Sequence, residues 1–132
     1  MNEIEKVTLF TDQMWKLEGT TLKDQGNLWV SDGKWQISDQ PGGHVCVMNM
    51  ISTTVIKTVN NQNISEKINA WTALGIVSND KVIEEKDCNK KSQYWEKKAK
   101  NGYFTLINQP SQKVLTAISK TELGIRGKSG LH

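Results

Sequence analysis

The sequence predicts an all-β domain, on three observations. Short runs rich in β-branched and aromatic residues alternate with Gly, Asn, Asp and Pro turns, about one strand and turn per ten residues, the spacing of a sandwich or barrel. A phrase with an amide side chain two places before a tryptophan recurs: Gln13-Met14-Trp15, Gln93-Tyr94-Trp95 and, in degraded form, Asn69-Ala70-Trp71. The one serious helix candidate, Glu84 to Lys100, would bury little more than Cys88, Trp95 and Ala99. That stripe is too thin to pack a helix, so the segment reads as strand, loop and strand with one helical turn.

Taken in order, Val7–Phe10 precedes the first triplet, and Trp15–Glu18, Thr21–Lys23, Leu28–Ser31 and Trp35–Ser38 follow as strands. Gly19, Gly26-Asn27 and Asp32-Gly33 separate them, and Asp-Gly is a strong signal for a two-residue hairpin. Trp15, Trp29 and Trp35 read as core plugs, with a ligand platform as the alternative. Pro41-Gly42-Gly43 interrupts the pattern before an apolar strand at His44–Met50. Thr54–Val59 leads into a polar loop, Asn60–Lys67, and Trp71–Ser78 reads as two short strands around Gly75. Asn79-Asp80 turns the chain into Lys81–Glu85. Beyond the third triplet, Gly102–Ile107 and Val114–Ile118 flank a turn of Asn, Pro, Ser and Gln residues at Asn108–Gln112, and Leu123–Arg126 follows.

A Gln-x-Trp triplet, a Gly-led strand, a turn reading N-x-x-S-x-K-V-L and a second strand, in that order, resemble the ricin-type (ricin B-like lectin) family. The resemblance is clearest over residues 82–127 and weakest over 38–53. It implies a single β-trefoil domain over 1–132, with about twelve short strands in three uneven repeats. Gln13, Trp15, Trp71, Gln93 and Trp95 would be its structural motif residues, with Trp15, Trp71 and Trp95 buried at equivalent places. It also implies a non-enzymatic binding module for a carbohydrate or glycoprotein. The contrasting expectation is a protein partner or an inhibitor role through the loops. Sugar contacts would fall near Asp12 and Asn89, beside the triplets, and near Asn108, Gln109, Lys113 and Thr116. Thr116 stands where the family carries an aspartate, and Cys46-Val47-Met48 offers no carboxylate either, so the galactose chemistry looks eroded.

Composition narrows the other classes. The chain of 132 residues is one domain by length, 36% hydrophobic and 23% charged, as in ordinary globular proteins. A net charge of +3 is too small an excess to imply nucleic acid. No apolar run approaches the roughly 20 residues of a membrane helix, and no membrane insertion is expected. The opening MNEIEKVTLF lacks a charged-then-apolar leader, and the sequon Asn63-Ile64-Ser65 matters only in a secreted chain. The two histidines, His44 and His132, supply no catalytic or metal constellation, Glu84-Glu85 points to opposite faces of a strand, and no phosphate loop is present. No catalysis, metal or cofactor is expected. The lysines 86, 90, 91, 97, 98 and 100 around Tyr94 and Trp95 read as a solvated flank, with an anionic-ligand patch as the alternative. Cys46 and Cys88 read as two buried free thiols, which leans the chain toward a reducing compartment, with a single bridge as the alternative.

The ends carry one more expectation. The first triplet comes after one strand, whereas the last three strands have no triplet after them. Each end thus resembles a partial repeat: either the chain is a piece of something longer or, the favoured expectation, the two complete each other, with Val7–Phe10 beside Leu123–Arg126.

Overall fold

β-branched and aromatic runs fit a pleated, half-buried surface, and in the computed structural model, which describes residues 11–127, they form antiparallel strands. The described residues hold β1 (Trp15–Glu18), β2 (Thr21–Asp24), β3 (Val30–Ser31), β4 (Lys34–Asp39), β5 (Val45–Val59), β6 (Gln62–Val77), β7 (Lys81–Lys86), β8 (Trp95–Lys100), β9 (Tyr103–Asn108), β10 (Val114–Ala117) and β11 (Leu123–Arg126). Helical content among these residues is confined to 3-10 turns at Thr11–Gln13, Ser78–Asp80 and Lys91–Gln93. The segment Glu84–Lys100 is strand, turn and strand, as its thin apolar stripe predicts. The expected Val7–Phe10 strand and its pairing with β11 lie outside the described residues.

The strands make one 11-stranded sheet whose pairings run in a circuit. From β9 the circuit passes through β10, β11, β7, β6, β5 and β8 and returns to β9. β1 joins it at Trp15↔Phe104 and carries β2 and β3, while β4 pairs with β5. Inside lie Trp15, Leu22, Trp35, Val47, Leu74, Trp95, Leu106 and Leu115, all at most 2% exposed. Trp15, Trp29 and Trp35 make successive edge-to-face contacts, with ring centroids 5.8 and 5.9 Å apart.

The two intact triplets are built alike. In each, the glutamine ends a 3-10 turn and the tryptophan opens a strand. Trp15 Nε1 donates to the Leu115 carbonyl at 2.9 Å, and Trp95 Nε1 donates to that of Leu74 at 3.0 Å. The accepting residues sit on hairpins, β10–β11 and β6–β7. Gln93 Nε2 donates to the carbonyls of Asp87 (2.7 Å), Glu85 (3.4 Å) and Ala73 (3.5 Å), and its Oε1 accepts from the amides of Asn89 and Lys90. Gln13 Nε2 reaches only the Gly127 carbonyl and Thr116 Oγ1 among the described residues. The residue after each accepting leucine, Thr116 or Gly75, lies against the glutamine. A Cβ on Gly75 would come within 2.8 Å of Gln93 Cγ, which is why glycine stands there.

Both glutamines are fully buried, so truncation strands backbone groups without water. Gln93→Ala should cost about 2–3 kcal/mol in a denaturant titration, and Gln13→Ala less. Equal losses would contradict this difference in bonding.

Five expectations need correction. Trp71–Ser78 is not two strands around Gly75 but the end of one strand, β6, unbroken from Gln62 to Val77. Trp71 is not a core plug: it is half-buried on β6 opposite Met50, and Trp35, which belongs to no triplet, is the third deeply buried tryptophan. Asp32-Gly33 closes no hairpin, because β3 pairs with β2 and β4 with β5. The supposed loop Asn60–Lys67 is mostly strand. β5 and β6 are continuous, joined at Asn60-Asn61, where both residues adopt the positive φ (52° and 65°) that a tight hairpin turn requires. Finally, Cys46 and Cys88 form a disulfide, with Cα atoms 6.4 Å apart. The Val45↔Trp95 pairing brings the start of β5 to the segment that follows Cys88, a proximity that 42 residues of separation conceal. Such a bridge suits an oxidising rather than a reducing compartment.

Candidate binding site

Alternation places the middle residue of the third triplet outside. Gln93 and Trp95 are both 0% exposed, and Tyr94 between them faces the opposite way. Its ring stacks on His44, with centroids 3.8 Å apart and planes 26° from parallel. The pair lines an open depression of about 460 Å³ where three turns converge. The β4–β5 turn supplies Pro41, Gly42 and His44, and it is closed by the Gln40 amide on the His44 carbonyl at 2.9 Å. The turn before β8 supplies Lys91 and Tyr94, and the β9–β10 turn supplies Gln109 and Pro110. The backbone N–H of Gln109 donates to the Tyr94 carbonyl at 2.9 Å and fixes the last two pieces together. The disulfide does the same for the first two, since Cys46 follows His44 by two residues and Cys88 leads into the turn.

The depression offers two stacked rings, a side-chain amide and one ammonium group. None of its lining residues is acidic. The lysine flank behaves largely as solvated charge: Lys90 pairs with Glu85 at 2.7 Å, Lys98 with Glu96 at 3.5 Å, and Lys97 Nζ lies 5.0 Å from the Phe104 ring centre. On β1 and β2, hydrogen bonding and charge from Lys23 hold the Glu18 carboxyl below its ordinary range. Glu18 correspondingly raises Lys23, and neither lines the depression.

Of the residues expected to touch a sugar, only Gln109 lines this depression. Asn108 is 1% exposed and serves its own turn, donating to the Ser92 carbonyl and accepting from the Ser111 amide and hydroxyl. Thr116 is 0% exposed, donates to the Val114 carbonyl and accepts from Gln13. Neither presents surface to a ligand, and both belong to the scaffold. Lys113 pairs with Asp80 at 2.7 Å, and Asp12 lies 3.9 Å from Arg126. Asn89 is exposed, and its backbone amide bonds to Gln93. His44 and Tyr94 were not among the expected contacts. The signal for Tyr94 was its place between two inward-facing residues; for His44 there was none beyond its aromatic ring.

Fold and site together define an antiparallel all-β domain with an aromatic surface depression. No protein-family model, no curated protein and no solved structure matches the chain. Among the described residues, no group of three or more His, Cys, Asp or Glu could hold a metal, and no helix is long and apolar enough to cross a membrane.

Proposed function

We propose that the chain is a non-enzymatic, carbohydrate-binding module of the ricin B-like β-trefoil type, with a divergent site at His44, Tyr94 and Gln109. The observation that carries this reading is the half-exposed aromatic pair beside a side-chain amide in a shallow depression. Sugars present an apolar C–H face together with directional hydroxyls, and an aromatic wall with a few convergent polar groups is the matching surface. The matching construction of the two Gln-x-Trp units and the circuit of strand pairings support the trefoil reading.

Because the lining lacks a carboxylate, Lys91 is its one charged hydrogen-bonding side chain, and bonds from Gln109 to a neutral hydroxyl would each contribute only about 0.5–1.5 kcal/mol. Galactose should therefore bind with a Kd of millimolar or weaker. A glycan array followed by calorimetry tests the reading. Tyr94→Ala should reduce binding of the best glycan by at least about tenfold, roughly 1.4 kcal/mol, with little change in melting temperature. Binding untouched by Tyr94→Ala, or tight galactose binding, would move the site elsewhere.

A further inference from the structure

Beyond Met50 the β5–β6 hairpin leaves the body. β4 pairs with β5 only as far as Met50, and β7 pairs with β6 only as far as Thr72. Residues 51–59 and 62–70 therefore pair only with each other, as a two-stranded ribbon roughly 30 Å long at about 3.3 Å per residue. The register sorts its side chains. One face carries Ser52, Thr54, Thr58, Asn63, Ser65, Lys67 and Asn69, with Ile56 as its one large apolar residue. The other carries Ile51, Val55, Val59, Ile64, Ile68 and Ala70, interspersed with Thr53, Lys57, Gln62 and Glu66, and it continues the side on which Val45, Val47 and Leu74 enter the core. Core patterning thus runs on into a stretch where there is no core.

Of the large hydrophobics exposed among the described residues, Ile51, Val59, Ile64 and Ile68 lie on this face. A two-stranded ribbon with a bare apolar face is marginal by itself in water, and an apolar patch of this kind marks a contact surface.

We propose that this face is a self-association surface whose partner is the same ribbon of a second copy of the chain. Three observations select that occupant. The face carries one charge of each sign, Lys57 and Glu66, paired at 2.8 Å. It is therefore net neutral, so two copies can meet across a twofold axis without like-charge repulsion. Its extent is that of a small interface: a face about 30 Å by 10 Å on each of two copies covers roughly 600 Å², more with its flanking side chains, the low end of the range and suited to association near about 100 µM. The ion pair also counts against lipid, because a lysine and a glutamate set within the apolar face would have to enter hydrocarbon. The inference is independent of the sugar-site reading, since His44, Tyr94 and Gln109 are not on the ribbon.

Sedimentation of the full chain tests it. The wild type should be dimeric at about 100 µM, and Ile64→Lys combined with Ile68→Lys should weaken association at least about tenfold. The melting temperature of the double variant should match that of the wild type diluted to monomer. Ile56→Lys, on the opposite face, should leave the dimer intact. A wild type that stays monomeric, or a dimer broken equally by Ile56→Lys, overturns the proposal. Dye release from phosphatidylcholine vesicles by a monomeric wild type would assign the face to lipid instead and overturn it too.

Discussion

Trp95→Ala should remove about 3–5 kcal/mol of stability, the usual range for truncating a buried tryptophan. Trp95 is 0% exposed, and its indole N–H is the hydrogen-bond donor to the Leu74 carbonyl. Truncation opens a cavity between β8 and the β6–β7 hairpin and leaves that carbonyl without its indole donor. A domain of this size has only about 5–15 kcal/mol in total, so the variant should melt far below the wild type. Trp71→Ala is the internal control: the half-buried Trp71 side chain lies on the ribbon side of β6, and its loss should cost about 1 kcal/mol or less. A denaturant titration in which Trp95→Ala loses less than about 1 kcal/mol, or in which the two variants lose equally, would contradict the core-plug role.

That contrast also shows where the sequence was legible. Gln13-Met14-Trp15 and Gln93-Tyr94-Trp95 could be read because one local phrase fixes both a 3-10 turn and a tertiary contact. Asn69-Ala70-Trp71 has a similar spacing but stands within β6, where no turn precedes the tryptophan. Trp95 lies 21 residues beyond Leu74, whose carbonyl it meets.

The ribbon was misread for a related reason. Strand prediction relies on one face being buried, and with both faces in solvent the polar residues between Asn60 and Lys67 resemble a loop. The binding depression was less legible still. Its walls come from three turns far apart in sequence, and pairing, not local pattern, brings His44 to Tyr94. Thr116 illustrates the opposite error. A motif position suggested a ligand contact, whereas packing against Gln13 makes it part of the scaffold.

Removing the Cys46–Cys88 disulfide by a double serine substitution should be the other large loss. The bridge spans a sequence separation of 42, and closing a loop of that length restricts the unfolded chain by about 4 kcal/mol in the chain-entropy account. Cys46 is itself 0% exposed, so a serine hydroxyl there would add a desolvation penalty. Cys46→Ala with Cys88→Ala is therefore the cleaner pair, and its expected loss is about 2–4 kcal/mol. The consequence extends to the depression. The bridge joins the strand that begins beside His44 to the segment that turns into Tyr94, so without it the two rings are held by their own stacking and by the single Val45↔Trp95 pairing. At a temperature where the alanine pair is still folded, ligand affinity should fall along with stability, and reduction of the wild type should reproduce both effects. If stability fell while affinity stayed unchanged, the bridge would be holding the fold alone. If neither changed on reduction, the two cysteines would not be joined in the protein in solution.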